Sequence, residues 1–448
     1  MQWKQGCGIV ACWGRGEDGA LGHGSSDEVP LPKAVWDLLG ESAVLVACGA
    51  EYTIAVTPET TYSWGWGDFG RLGHGSCDDS FVPKPISFFS GMSVAAVACG
   101  DTHTLVTTRS GELYAFGRNQ NGQLGVGDRD DRLSPVLVAD LKGHVITSVS
   151  CGAEHSVVAS STCDVYAWGW GRYGNLGDGG RDDSLSPVRC CGLDTAGVSV
   201  VACGWRHSVA VGGDGRIYTF GWSKYGQLGH GDDVDCMTAK RVEGLAGVRV
   251  VRVAGGWRHT MAADSDGVLY AWGWNKFGQL GLGDCDDRSA PTVVSLPGGG
   301  TVAALACGWR HTMASTTDGR VYSWGRGVNG QLGHGKEEDK NTPTLLSALC
   351  EGTVSRASMV ATTSAHAMSY VAAADRYAVV PGGDDGAVPS GTDAVPDVGE
   401  VGGDGAEDVD DDHGGVPMVP SGVPMVPNGG DGASAQEHPQ PKRRREAE

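Results

Sequence analysis

Short runs of strand-forming residues alternate with glycine- and aspartate-rich turns along most of the chain. Val200-Val201-Ala202, Ser208-Val209-Ala210-Val211 and Arg216-Ile217-Tyr218-Thr219-Phe220 are such runs, with Gly212-Gly213-Asp214-Gly215 and Asp232-Asp233 as turns between and after them. The pattern repeats. An aromatic-Gly pair recurs at Trp13, Trp64, Phe116, Trp168, Phe220, Trp272 and Trp324, spaced by 51 residues once and by 52 thereafter. A Leu-Gly pair keeps step at Leu21, Leu72, Leu124, Leu176, Leu228, Leu280 and Leu332. A Gly-x-x-His signature places His103, His155, His207, His259 and His311 in the same register, with Tyr52 in the first copy. A unit of several short strands at this period is a propeller blade, which buries its faces only by stacking on its neighbours.

The expected architecture is an all-β, seven-bladed β-propeller over residues 1–371, followed by a disordered, acidic, Val-Pro-rich tail over 372–448. The chain before Trp13 is too short to supply a full unit. Ala365-His366-Ala367-Met368 resembles His311-Thr312-Met313-Ala314, so segment 354–371 is expected to close the ring beside the N-terminal strand.

The repeat also serves as an internal control. Two residues before the signature His stand Ala50, Asp101, Ala153, Trp205, Trp257 and Trp309; the next position holds Glu51, Thr102, Glu154, Arg206, Arg258 and Arg310. Three units fold with Ala or Asp where three others carry Trp, so the fold does not demand Trp there. Trp13, Trp64, Trp168, Trp272 and Trp324 fit a core role; Trp205, Trp257 and Trp309 do not. Four residues after the aromatic of each aromatic-Gly pair come Glu17, Asp68, Gln120, Arg172, Lys224, Lys276 and Val328. One face of the ring is thus predicted to carry an acidic arc and a basic, Trp-rich arc. Such a face is self-complementary under a two-fold axis and predicts an isologous homodimer held by screened ion pairs.

Composition narrows the function. Among 448 residues, 54 acidic against 34 basic side chains give a net charge of −20, which argues against direct nucleic-acid binding. No stretch reaches the length of a membrane span, and the start lacks the features of a signal peptide. The 14 Cys show neither disulfide nor CxxC metal spacing. Cys48, Cys99, Cys151, Cys203 and Cys307 recur in step with the fold, as small buried apolar residues do, and point to a reducing, cytoplasmic or nuclear compartment. No nucleotide loop, paired-carboxylate site or activated nucleophile is present, so the chain reads as a non-enzyme.

These repeats resemble the regulator-of-chromosome-condensation repeat family. Within it, Gly204-Trp205-Arg206-His207, Gly256-Trp257-Arg258-His259 and Gly308-Trp309-Arg310-His311 resemble the ultraviolet-B photoreceptors of plants and green algae. The resemblance covers residues 1 to about 381. It implies a cofactor-free receptor whose chromophore is tryptophan: Trp257 is the principal sensor, Trp205 assists, Trp309 completes the triad, and Trp66 joins from the partner subunit. It further implies a dark homodimer held by Arg258 with Asp68 and Asp79, Arg118 with Glu154, and Arg310 with Asp18. Glu17, Asp101, Arg172, Arg206 and Arg326 match further interface positions. Ser208 stands where the family has Thr, and Gly255 where it has Cys. A guanidinium over an indole is a cation–π contact, so excitation of the ring disturbs the cation on which the dimer depends. The monomer is then expected to bind the WD-repeat domain of an E3 ubiquitin ligase, with WD-repeat negative regulators restoring the dimer.

The ligase-docking peptide that best matches the family is Arg376-Tyr377-Ala378-Val379-Val380-Pro381, with Tyr377, Val380 and Pro381 as its contacts; Val395-Pro396-Asp397 is the alternative. Lys442-Arg443-Arg444-Arg445 reads equally as a nuclear-localisation signal or a solvated tail. Two other functions are weighed: nucleotide exchange on a Ran-type GTPase, the family's namesake activity, and a propeller scaffold without photochemistry. Both leave the three Trp-Arg pairs unexplained.

Overall fold

The computed structural model describes residues 8–193, 197–349, 357–362 and 366–372. It is an all-β propeller, and its helical elements are single three-residue turns. Six sheets, at 45–85, 94–137, 146–189, 198–241, 250–294 and 302–345, are each built from four consecutive strands; they are called blades one to six below. The remaining strands form a closure sheet in the order Val29–Ala34, Gly8–Gly14, His366–Ala372, Ala357–Thr362. The expected seventh unit is therefore a sheet shared by the two ends of the chain. His366 lies opposite Gly14, in the register that sets His311 opposite Gly325 and His207 opposite Gly221. Tyr377, Val380, Pro381, Val395-Pro396-Asp397 and the basic cluster lie outside the described residues.

The repeat markers are the joints between blades. The aromatics at Trp13, Trp64, Phe116, Trp168, Phe220, Trp272 and Trp324 are fully buried. Each indole also crosses to the preceding sheet: Trp168 Nε1 donates to the Gln123 carbonyl at 2.9 Å, and Trp272 Nε1 to that of Gln227 at 2.9 Å. The Leu-Gly glycine is required by that crossing. Gly125 has φ +70, and a Cβ there would stand 2.6 Å from Trp168 Nε1.

The signature histidines form a second joint. His103, His155, His207 and His259 place Nε2 at 2.9–3.0 Å from the hydroxyls of Ser156, Ser208, Thr260 and Thr312, one blade on. Each of those hydroxyls donates to the carbonyl that joins the blades, as Ser208 does to Asn175 at 2.7 Å. Desolvation pushes the pKa of these four imidazoles down to about 3. Tyr52 substitutes in blade one by donating to the His103 carbonyl at 2.6 Å.

Candidate functional site

In each blade the first strand lies innermost, and the Gly-Trp-Arg triplet is the turn from it to the second strand. Cys203 ends the innermost strand of blade four and His207 starts the next. Main-chain hydrogen bonds fix these turns across blades. The Trp205 N–H donates to the Gly256 carbonyl at 3.1 Å, and the Trp257 N–H to that of Gly308 at 3.2 Å. Successive blades thus set the three indoles around the axis at one end of the ring.

The rings touch. Trp205 and Trp257 meet edge to face with centroids 5.6 Å apart, and Trp257 stacks on Trp309 at 5.9 Å and 25°. These spacings fall in the range of interacting aromatic pairs. Arg206 lies 3.7 Å from the Trp205 centroid, Arg258 3.8 Å from that of Trp257, and Arg310 5.2 Å from Trp257. All six side chains are half-buried, whereas Trp13, Trp64, Trp168, Trp272 and Trp324 have 0% exposure. The control drawn from the repeat therefore separates two classes of tryptophan correctly.

A second aromatic row escaped the sequence reading. Trp222 touches Trp205 at 5.7 Å, Trp274 touches Trp257 at 5.5 Å, and Trp170 lies under Arg206 at 4.6 Å. Tyr173, Tyr225 and Phe277 form an outer row beside them. The signal was in the repeat. Two residues after the buried aromatic come Arg15, Trp66, Arg118, Trp170, Trp222, Trp274 and Arg326, and this position is again Trp-rich in blades three to five.

The acidic half lies on the closure sheet and blades one to three. Glu17 and Asp18 belong to the turn Glu17–Gly19, and Asp68 to the equivalent turn Asp68–Gly70. Arg15 pairs with Glu17 and lies 3.7 Å from Glu51. Asp79 accepts the Gly67 N–H at 2.8 Å through one oxygen. The brace is general to the repeat: Asp131, Asp183, Asp235, Asp287 and Asp339 do the same in other units. Desolvation, with the charge of Glu154 beside it, raises the Asp101 pKa to about 7, against the pull of Arg71 and a hydrogen bond from the Trp309 indole. Glu154 sits in the turn of blade three and is half-buried. Arg118 lies over the Phe69 ring at 4.8 Å, Arg326 lies over Phe277 at 4.8 Å, and Arg172 is exposed. Trp66 is stacked by Arg71 at 3.8 Å on the acidic side of the ring.

A cavity of about 60 Å³ at the triad is lined by Trp205, Trp257 and Trp309 together with Cys99, Cys151, Cys203 and Cys307 and their neighbouring glycines. Burial holds these thiols protonated, with Cys99 and Cys203 pushed up to about 12. Among the described residues no group of three or more His, Cys, Asp or Glu is placed to hold a metal ion. None of the described helices is long and apolar enough to cross a membrane.

An RCC1-like domain model matches residues 10–369. The chain is 48% identical over 379 residues to the ultraviolet-B receptor UVR8 of Arabidopsis thaliana, spanning 83% of this chain and 86% of that protein. It is 31% identical over 362 residues to the regulator of chromosome condensation of Mus musculus, spanning 76% of this chain and 85% of the relative. The crystal structure of human WBSCR16 shares the fold, with a TM-score of 0.73 at 24% identity over 82% of this chain and 99% of the other.

Proposed function

The chain belongs to the RCC1-like domain family, and from that premise we propose that it is an ultraviolet-B photoreceptor with tryptophan as its chromophore. The observation that carries the reading is the stack of Trp205, Trp257 and Trp309 with Arg206, Arg258 and Arg310 laid against it. Indoles in ring contact share excitation. Each guanidinium over a ring gains about 0.5–1 kcal/mol from the ground-state charge distribution of the indole. Excitation or electron transfer alters that distribution, and the same Arg residues are the interface cations. In the dark, the basic arc of one copy, with Arg172, Arg206, Arg258, Arg310 and Arg326, meets the acidic arc of the other, with Glu17, Asp18, Asp68, Asp79, Asp101 and Glu154; Arg118 pairs with Glu154. Each exposed pair contributes about 0.2–1 kcal/mol, so losing a few releases the dimer. Trp66 of the partner subunit adds a fourth ring to the triad. The closure sheet counts as the seventh blade of the ring.

The monomer docks the WD-repeat domain of an E3 ubiquitin ligase through a Val-Pro peptide at Tyr377, Val380 and Pro381 and signals from the cytoplasm and nucleus. WD-repeat regulators return it to the dimer. The chain needs no bound cofactor for this cycle. The test is gel filtration of the purified protein before and after ultraviolet-B, with Trp257→Phe alongside. A dimer that becomes monomeric in the parent and stays dimeric in the variant is expected. A dimer indifferent to light, or a variant that responds as the parent does, refutes the reading.

The similarity to the mouse regulator of chromosome condensation favours a second reading, nucleotide exchange on a Ran-type GTPase. Accelerated release of labelled GDP from such a GTPase would select it.

A further inference from the structure

Arg71 is fully buried, yet no carboxylate among the described residues lies within ion-pair distance of it. Its guanidinium donates from Nε to the Asp68 carbonyl at 3.0 Å and from Nη1 to the Asp101 carbonyl at 3.5 Å, while Nη2 has no hydrogen-bond partner among the described residues. One face lies on the Trp66 ring at 3.8 Å, and Phe69 lies 5.6 Å away. Burying a cation in this way costs stability.

The repeat shows what the fold asks of this position. Other units carry Ala20, Gln123, Asn175, Gln227, Gln279 and Gln331. Each Gln side chain accepts the N–H of the residue two before it: Asn121, Tyr225, Phe277 and Asn329, at 2.8–3.0 Å. Neither Arg71 nor Ala20 has an acceptor to offer. The residues that lose the brace, Phe69 and Asp18, are the non-glycine residues in these loops with positive φ, at 62° and 53°. For Phe69 this is a strained conformation. A buried charge, a missing brace and a strained loop together mark a residue kept for the site and not for the fold.

We propose that Arg71 is a positioning residue of the acidic half, a cation of the same chain that fixes the Trp66 indole and offsets the crowded carboxylates a partner copy must meet. The inference rests on the dimer reading above. Asp101 is the group most exposed to its loss. It faces Glu51 and Arg71 from blade one, Glu154 from blade three and the Trp309 indole, and Arg71 is the cation that favours its ionised form.

The test uses Arg71→Gln and Arg71→Lys in the full chain, followed by sedimentation equilibrium from pH 6 to 9. Arg71→Gln should fold and melt no lower than the parent, because it restores the brace and removes the buried charge. Its dimer should be weakened more than about tenfold at pH 7, since both Asp101 copies are affected, and should recover by pH 9 as they ionise. Arg71→Lys keeps the charge and should follow the parent's pH profile. An Arg71→Gln dimer as tight as the parent's at pH 7, a loss that persists at pH 9, or an Arg71→Lys profile displaced as far as that of the Gln variant would overturn the inference. Failure of Arg71→Gln to fold would also overturn it, since the residue would then serve the fold. A parent that is monomeric throughout would instead refute the dimer reading itself.

Discussion

Acidification should unfold this propeller well before it protonates ordinary surface carboxylates. His103, His155, His207 and His259 are at most 1% exposed, and each links two blades as a neutral imidazole. Their pKa of about 3 in the fold compares with about 6.5 in an unfolded chain. Between those values the unfolded state binds more protons than the native state. Their stabilising contribution is therefore complete above pH 6.5 and declines as pH falls from there towards 3. Each site changes the unfolding free energy by about 1.4 kcal/mol per pH unit inside that window, or about 2 kcal/mol between pH 6.5 and 5. The four together amount to about 8 kcal/mol, comparable with the whole stability of a typical domain. Urea unfolding followed by circular dichroism, repeated at half-unit steps from pH 7.5 to 4.5, gives the slope directly. His207→Gln should flatten it by about 1.4 kcal/mol per pH unit, one site's share, while His74 and His230, which burial also depresses, to about 4, go on contributing to the slope in both proteins. Stability that is flat down to pH 5, or a variant slope equal to the parent's, would show that these imidazoles are not held neutral by the fold.

Other consequences separate the two classes of tryptophan and probe the interface. Trp272→Ala should cost about 3–5 kcal/mol in urea unfolding, and Trp257→Ala clearly less, because the first ring is fully buried and the second half-buried; equal losses would contradict the division. Trp272→Phe should still respond to ultraviolet-B in gel filtration where Trp257→Phe does not. Raising the salt from 0.05 to 1 M should shift the unirradiated dimer towards monomer, and an unchanged elution profile would rule out an interface of exposed ion pairs. Gly125→Ala should be among the most damaging small substitutions in the chain, since its φ and the Trp168 indole both exclude a side chain, and a melting temperature within a degree or two of the parent's would refute the joint described at that position.

The residues that recur in every unit were legible because the repeat exposes them to comparison. The buried aromatics and the Leu-Gly turn appear once per blade, and the signature His in every blade but the first, where Tyr52 stands, so their structural role is fixed by repetition. Trp205, Trp257 and Trp309 were legible for the opposite reason, being departures from a position that Ala fills elsewhere. Trp170, Trp222 and Trp274 were missed although they depart in the same way. The buried aromatic two residues earlier in the same Trp-Gly-Trp or Phe-Gly-Trp run points to the core, and spacing alone does not reveal that the residue just past the strand end leans onto the inner turn of its own or the next blade. Arg71 was invisible for a different reason. A lone Arg beside Leu-Gly reads as a solvated surface charge until its burial is known. The structural duty of Asp79 was legible in principle, since Asp131, Asp183, Asp235, Asp287 and Asp339 follow it at the repeat period, but it was masked by turns already rich in Asp.

The closure sheet makes the birth of the molecule asymmetric. Gly8–Gly14 and Val29–Ala34 leave the ribosome before the strands of the six blades, and their partners Ala357–Thr362 and His366–Ala372 leave it after them. At roughly 5–20 residues per second, the early hairpin spends tens of seconds with an unpaired edge while six blades assemble behind it. Those blades stack on nearest neighbours and can form in the order they are made, whereas the final pairing closes a loop of more than 300 residues in one step. Completion of the ring is thus the slow event in the life of a new chain, and translation that stops short of His366 leaves a stack of blades with two open ends.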